Sequence, residues 1–206
     1  DGKGPSRGRL AGKKAIVTSG LTHEPLDPVR YIANRSSGRQ GHAIAAALAA
    51  EGAETVLISG PTVLADPLGV TVRKVGSAVE MMTACTDAIP ADIAVCAAAV
   101  ADWRAAGPLS EKIKKNGNPP HFDLVENPDI LASLSQVGDS RPTLVIGFAA
   151  ETSALVTKAQ KKRARKGCDW IIANDVSPDT NTLGGTTNMI HLIDGKTVEK
   201  WPRMTK

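Results

Sequence analysis

The chain has 206 residues, 42% hydrophobic and 22% charged, with 25 Lys and Arg against 21 Asp and Glu for a net charge of +4. These values fit one large packed domain or two small ones and exclude collagen, coiled coil and wholesale disorder. A surplus of four charges with only 3% aromatic residues gives no footing for nucleic acid. No apolar run approaches the roughly 18 residues of a membrane span, so neither partner is expected.

Residues 1–12 are rich in Gly, Lys and Arg and read as a linker or cloning remnant. The start at Asp1, with no secretory apolar segment, reads as a piece of a longer polypeptide cut inside that linker. Beyond it the pattern predicts a strand over 15–19, an Ala-rich helix over 39–51 ended by Gly52, and a strand over 55–59 closed by Gly60 and Pro61. A strand over 70–75, a helix over 78–88 and a strand over 93–98 follow. Residues 107–124 show no period and carry Pro108, Gly117, Pro119 and Pro120, a long connection of the kind that forms flaps. Next come a helix over 130–137, a strand over 143–148, a helix over 152–166 and a strand over 170–173. Segments 188–193 and 197–200, joined by Asp194 and Gly195, predict a C-terminal β-hairpin.

Alternation of this kind predicts an α/β fold, a Rossmann-like, mostly parallel sheet with helices on both faces. Helix starts are marked at Ser37 with Gln40 and at Ser77 with Glu80, both at capping-box spacing. A third is Asn127, a capping residue before Pro128. The three cysteines (Cys85, Cys96, Cys168) are odd in number and lack metal or CxxC spacing, which fits a reduced, cytoplasmic setting.

Ligands of open parallel sheets bind beyond the carboxyl ends of the strands. After the first strand, Asn34, Arg35, Ser36, Ser37 and Gly38 place hydroxyls, a glycine and free N–H groups at a helix start, a setting that suits an anion. Neither GxGxxG nor a Walker Gly-Lys-Ser/Thr is present, which disfavours ordinary dinucleotide and P-loop chemistry. After the fourth strand the small residues Ala97, Ala98 and Ala99 admit a planar base or ribose, and Asp102 suits a ribose hydroxyl or a cation. Lys112 in the long loop suits a lid over phosphate charge, although taken alone a solvated basic loop accounts for it better. Lys162 and Lys166 share one helix face, as solvated residues commonly do. His23, His42, His121 and His191 are scattered without triad order or HExxH, and Cys96 reads as strand packing.

Residues 24–38 closely resemble the opening motif of bacterial phosphopantothenoylcysteine synthetase, the ligase half of the bifunctional coenzyme A biosynthesis flavoprotein. The likeness continues through residues 98–104, 111–115, 127–130, 147–152 and 173–176, in family order. The resemblance implies a ligase domain over residues 13–206 that joins 4′-phosphopantothenate to L-cysteine with CTP and Mg²⁺. The acyl carboxylate attacks the α-phosphate, and the cysteine amine then displaces CMP from the acyl-cytidylate. It further implies a homodimer with a shared site and a flavoprotein decarboxylase domain upstream, so FMN is not expected on this chain.

By motif, Asn34 resembles the residue that holds the acyl-cytidylate, Arg30 an essential arginine, and Lys112 the flap lysine of nucleotidyl transfer. Ser36, Ser37, Gly38, Cys96, Ala97, Ala98, Asp102, Val125, Glu126, Asn127, Pro128, Phe148, Lys162 and Lys166 fall on nucleotide-binding positions; the residues do not fix the metal ligands, for which Asp102 is a candidate. Two departures stand out. Leu21 replaces the usual Pro, which implies a looser turn, and Thr stands in residues 184–188 where an Asp is common, which weakens a metal role there. ATP in place of CTP, or a non-catalytic nucleotide-binding module, are the other readings. A nicotinamide oxidoreductase lacks its glycine fingerprint.

Overall fold

The structure is a computed structural model that describes residues 8–115, 117, 119–177, 180 and 185–205. Residues 1–7 of the expected linker and Gly184 of the late motif lie outside the described residues. The first half of the chain runs β1 (Lys14–Ser19), β2 (Glu24–Pro25), β3 (Tyr31–Ile32), α1 (Arg39–Ala50), β4 (Glu54–Ser59), β5 (Val70–Lys74), α2 (Ala78–Thr86) and β6 (Ile93–Cys96). The second half runs β7 (Trp103–Ala105), β8 (Leu124–Glu126), α3 (Ile130–Ser135), β9 (Leu144–Glu151), α4 (Leu155–Lys166), β10 (Trp170–Asp175), β11 (Thr187–Asn188), β12 (Ile190–Ile193), β13 (Val198–Lys200) and β14 (Met204–Thr205).

Among the described residues the main sheet has eight strands in the order β13-β12-β10-β9-β6-β1-β4-β5. The six from β5 to β10 are parallel, and β12 and β13 extend the β10 edge as an antiparallel hairpin. The chain works outward from β1 to one edge and returns to β6, so the strand order reverses between those neighbours. That reversal opens a crevice above the carboxyl ends, where doubly wound sheets hold ligands.

Neighbouring residues along each strand serve opposite faces. Ile16, Ile58, Ala94, Val145 and Ile171 pack with Met81, Leu131 and Ala159 of α2, α3 and α4. Val17, Leu57, Val95 and Ile146 turn to Ala45, Ile44 and Leu48 of α1. Burial on both faces explains the continuous apolar runs that made these strands readable. No helix among the described residues is long and apolar enough to cross a membrane.

Two helix starts differ from the sequence expectation. Gly38, in the left-handed region at φ 73°, occupies the cap of α1, and no side chain caps it; Ser36 Oγ accepts from the Gly38 N–H instead. Only glycine adopts that turn without steric cost, so a hydroxyl at Ser37 is not needed there. At α3 the cap is Asp129, whose carboxylate accepts from Ala132 N–H, while Asn127 faces backwards. The Ser77 cap of α2 is as expected: its hydroxyl accepts from Glu80 N–H. The described part of the expected linker, residues 8–12, turns against the end of α1, where Leu10 N–H donates to Glu51 C=O at 2.8 Å.

Candidate active site

The carboxyl ends of β1, β6, β9 and β10 open into a cleft of about 1060 Å³, at the upper end of small-molecule pockets. Its floor is knitted from two segments. Ala98 N–H donates to Thr18 Oγ1 (3.2 Å), Ala99 N–H to Gly20 C=O (2.9 Å) and Ala101 N–H to Thr22 Oγ1 (3.0 Å). The Leu21 turn, expected to be loose, is held on two sides. Leu21 bridges Ala99, and its carbonyl lies so close to Gly60 that a Cβ there would sit 1.7 Å from it.

Two asparagines fix the far side of that floor. Asn34 Nδ2 donates to Val100 C=O at 2.9 Å and Asn127 Nδ2 to Ala101 C=O at 2.8 Å. Arg104 in turn donates to Glu126 C=O and to Asn127 Oδ1. Residues 97–101 thus present small side chains and an ordered backbone to the cleft. Asn127 aims at Ala101 rather than at its own helix because the cap of α3, Asp129, lies two residues later.

The tip of α1 forms one wall. Ser19 Oγ, fully buried, donates to Gly38 C=O at 2.8 Å and lies 2.9 Å from His42 Nδ1. Because the serine proton goes to Gly38, the imidazole presents its own proton from Nδ1. Burial lowers the His42 pKa, against the raising effect of its Gly38 C=O contact, and keeps the ring neutral. Ser19 and His42 therefore latch the helix tip to β1, sealed from any substrate. Gly41 completes the fit, since a Cβ there would stand 2.5 Å from the Ser19 side chain.

The opposite wall is α4 with the start of α3. Lys162 Nζ donates to Phe148 C=O at 2.8 Å, and Lys166 pairs with Asp129. Burial, together with nearby Lys166, lowers the Lys162 pKa. Burial works against the Asp129 carboxylate, but the Lys166 ammonium and the Ala132 N–H outweigh it and hold its pKa below the usual value. Burial pushes the Cys96 thiol well up, which favours its protonated, weakly nucleophilic form.

The cleft brings together Asn34, Ser36, Ser37, Gly38, Cys96, Ala97, Ala98, Asp102, Glu126, Asn127, Pro128, Phe148, Lys162 and Lys166. Val125, Arg30 and Lys112 are not among its lining residues. Val125 is exposed on the β7–β8 hairpin, whose loop is the long flap. Arg30 and Asp27 clamp that flap. Ile113 N–H donates to Asp27 Oδ2 (3.1 Å), the Arg30 guanidinium donates to Ile113 C=O (3.3 Å), and Arg30 pairs with Asp27 at 2.5 Å. Lys112, exposed and adjacent to Ile113, is carried by this clamp.

Sequence reasoning gave no site role to Asp27, Gln40, Arg165 and Asn188, whereas Asn174, at the end of a strand and within the 173–176 motif, lines the cleft. The Asp27-Pro28 pair marks a turn, but nothing local shows that it reaches Ile113. Among the described residues no group of three or more His, Cys, Asp or Glu converges on a metal position. Asp102 is an exposed carboxylate on the cleft. That donor set fits a Mg²⁺ ion held mainly by substrate phosphates and water with one carboxylate, and not a closed protein cage.

Comparison with known proteins agrees with this geometry. Residues 10–206 match the model of the DNA/pantothenate metabolism flavoprotein C-terminal domain. The coenzyme A biosynthesis bifunctional protein CoaBC of Escherichia coli strain K12 is 46% identical over 182 residues, covering 86% of this chain and 45% of that protein. The chain thus spans about half the length of the curated relatives it matches. The crystal structure of the C-terminal domain of a CoaBC protein superposes with a TM-score of 0.75 at 35% identity, covering 94% of this chain and 87% of that one. A Cab2 mutant solved with phosphopantothenate-cysteine shares the fold alone, at 15% identity and a TM-score of 0.69 over 92% of this chain and 80% of that one. On its sequence, strand order and cleft, the chain belongs to the DNA/pantothenate metabolism flavoprotein C-terminal domain family.

Proposed function

We propose that the cleft joins 4′-phosphopantothenate to L-cysteine through a nucleotide-activated acyl intermediate, with CTP as the nucleotide. The observation that carries this reading is the convergence of Asn34, the α1 tip and the small-residue segment 97–101 on one cleft. A carboxylate needs a good leaving group before an amine can displace it, and nucleotidyl transfer supplies one without a covalent enzyme intermediate. The likeness to CoaBC proteins over most of this chain supports the same assignment.

In this reading the free N–H groups and positive end of α1 receive phosphate oxygens. The 97–101 backbone receives the base, Asn34 holds the acyl-nucleotide, and Lys112 closes over developing phosphate charge when the flap swings in. Asp102 would hold a Mg²⁺ ion, which neutralises triphosphate charge when bound. Pairing of two chains supports the flap: Trp103 and Leu124 leave apolar side chains exposed on one face of the β7–β8 hairpin, the kind of surface a partner covers. Supplying CTP or ATP with phosphopantothenate and cysteine tests the proposal. CMP and pyrophosphate in step with ligated product are expected; AMP would move the assignment to ATP, and neither monophosphate would overturn it.

A further inference from the structure

Glu24 opens β2 and is 1% exposed. A carboxylate taken out of water needs hydrogen-bond donors, and Glu24 finds one in α2, where Ala78 N–H donates to Oε1 at 3.0 Å. Ala78 is the first residue of that helix, so the carboxylate also meets the positive end of its dipole. Beside it, His23 N–H donates to Gly76 C=O at 2.8 Å. The helix itself does not need this help. Ser77 Oγ already accepts from Glu80 N–H, and the Glu80 carboxylate accepts from Gly76 N–H, so the start of α2 is satisfied from within. The Glu24 contact therefore serves the segment that carries Glu24.

That segment holds the flap at two places. Leu26 C=O accepts from Leu109 N–H at 2.9 Å. Asp27, 3% exposed, accepts from Ile113 N–H at 3.1 Å, and from Val29 and Arg30 N–H at 2.7 and 2.8 Å. Lys112 lies between these two ties, next to Ile113. Glu24, Asp27 and Ala78 are all absent from the cleft lining, so none of them is placed to touch a substrate there. Where the flap sits depends on where the 24–30 turn sits, and that turn is seated on α2. We infer that Glu24 and Asp27 are positioning residues that act as one brace: Glu24 seats the turn on the start of α2, and Asp27 passes that position to the flap backbone beside Lys112. This rests on the nucleotidyl-transfer role proposed above for Lys112. It also gives α2, which contributes no residue to the cleft lining, a part in the rate.

The test measures pyrophosphate release, CTP affinity by calorimetry, and amide exchange at Leu109 and Ile113. Glu24→Ala removes the seat from the side of the turn. Ala78→Pro removes the donor from the side of the helix, at a first helical position that tolerates proline and follows the extended Ser77. Each variant should slow pyrophosphate release by about 10- to 100-fold, while CTP affinity falls far less and both amides exchange faster. Neither change should slow Lys112→Gln further, because all three act through one group. Glu24→Gln, which keeps an acceptor for Ala78 N–H, should restore most of the rate. An unchanged rate in either folded variant overturns the inference, as does a loss that multiplies with Lys112→Gln or a CTP affinity that falls in step with the rate. If one of the two variants does not fold, the other decides. An unaltered chain that releases no pyrophosphate overturns the ligase reading instead, and the brace then stands or falls on whether the variants loosen the two amides.

Discussion

Asn34 has one observed task and one proposed task. One N–H of its amide donates to Val100 C=O, so the carboxamide is oriented by the strand end it faces, and its oxygen and second N–H are left for the proposed intermediate. Asn34→Asp removes that donor and adds charge beside the acyl-nucleotide. Pyrophosphate release should continue while ligated product falls, measured by following both products in one assay; equal loss of the two would remove the assigned role. Gly41 is constrained by space instead. A methyl group there meets the buried Ser19 side chain at 2.5 Å, and overpacking of this kind costs about 1–3 kcal/mol. Gly41→Ala should lower the thermal midpoint by several degrees and loosen the helix tip, read as weaker CTP binding. Asn188 shows why single residues escaped the sequence: its partner strand lies at Met204 and Thr205, and two-residue ladders carry no periodicity.

At the level of elements, the flap is governed by the Asp27–Arg30 turn. Burial would raise the Asp27 pKa, yet N–H groups of Ile113, Val29 and Arg30 and the Arg30 guanidinium bring it down to about 2. A depressed acid contributes its bonds above its unfolded pKa near ~4 and loses them as pH falls through the folded value. Exchange protection of the Ile113 amide should therefore be constant from pH 5 to 8 and fall as pH drops from 4 to 2, which hydrogen exchange by NMR would register. At neutral pH, Asp27→Asn should slow pyrophosphate release by about 10- to 100-fold through misplacement of Lys112. Lys112→Gln should slow it about 100-fold. The double variant should be no slower than Lys112→Gln alone, because the two changes act through one group. The parallel strands were legible because burial on both faces writes them as apolar runs. The clamp was not, since Asp27 and Ile113 are joined only by folding, and the cap of α1 was misplaced because Gly38 solves with backbone geometry what Ser37 would solve with a hydroxyl.

For the whole molecule, the apolar patch on the β7–β8 hairpin predicts association. Trp103 is 48% exposed and Leu124 46% exposed, and both sit at the base of the flap. Leu124→Asp should shift the chain to a monomer in sedimentation equilibrium and reduce ligation while leaving the thermal midpoint of the isolated chain close to its original value. The mostly parallel sheet with helices on both faces was readable from alternation, but its strand order, with the reversal between β1 and β6, was not. The antiparallel ribbons that wall the cleft were not, since each depends on segments far apart in the chain.

The cleft rides on the top edge of the sheet, with α1 anchored in one apolar layer and α4 in the other. A ligand that grips both helix ends acts as a rivet through two slabs otherwise joined only by the strands between them. Occupancy should stiffen both layers at once: at a hundredfold excess over Kd the gain is about 2.7 kcal/mol, and amides on α1 and α4 should slow their exchange together.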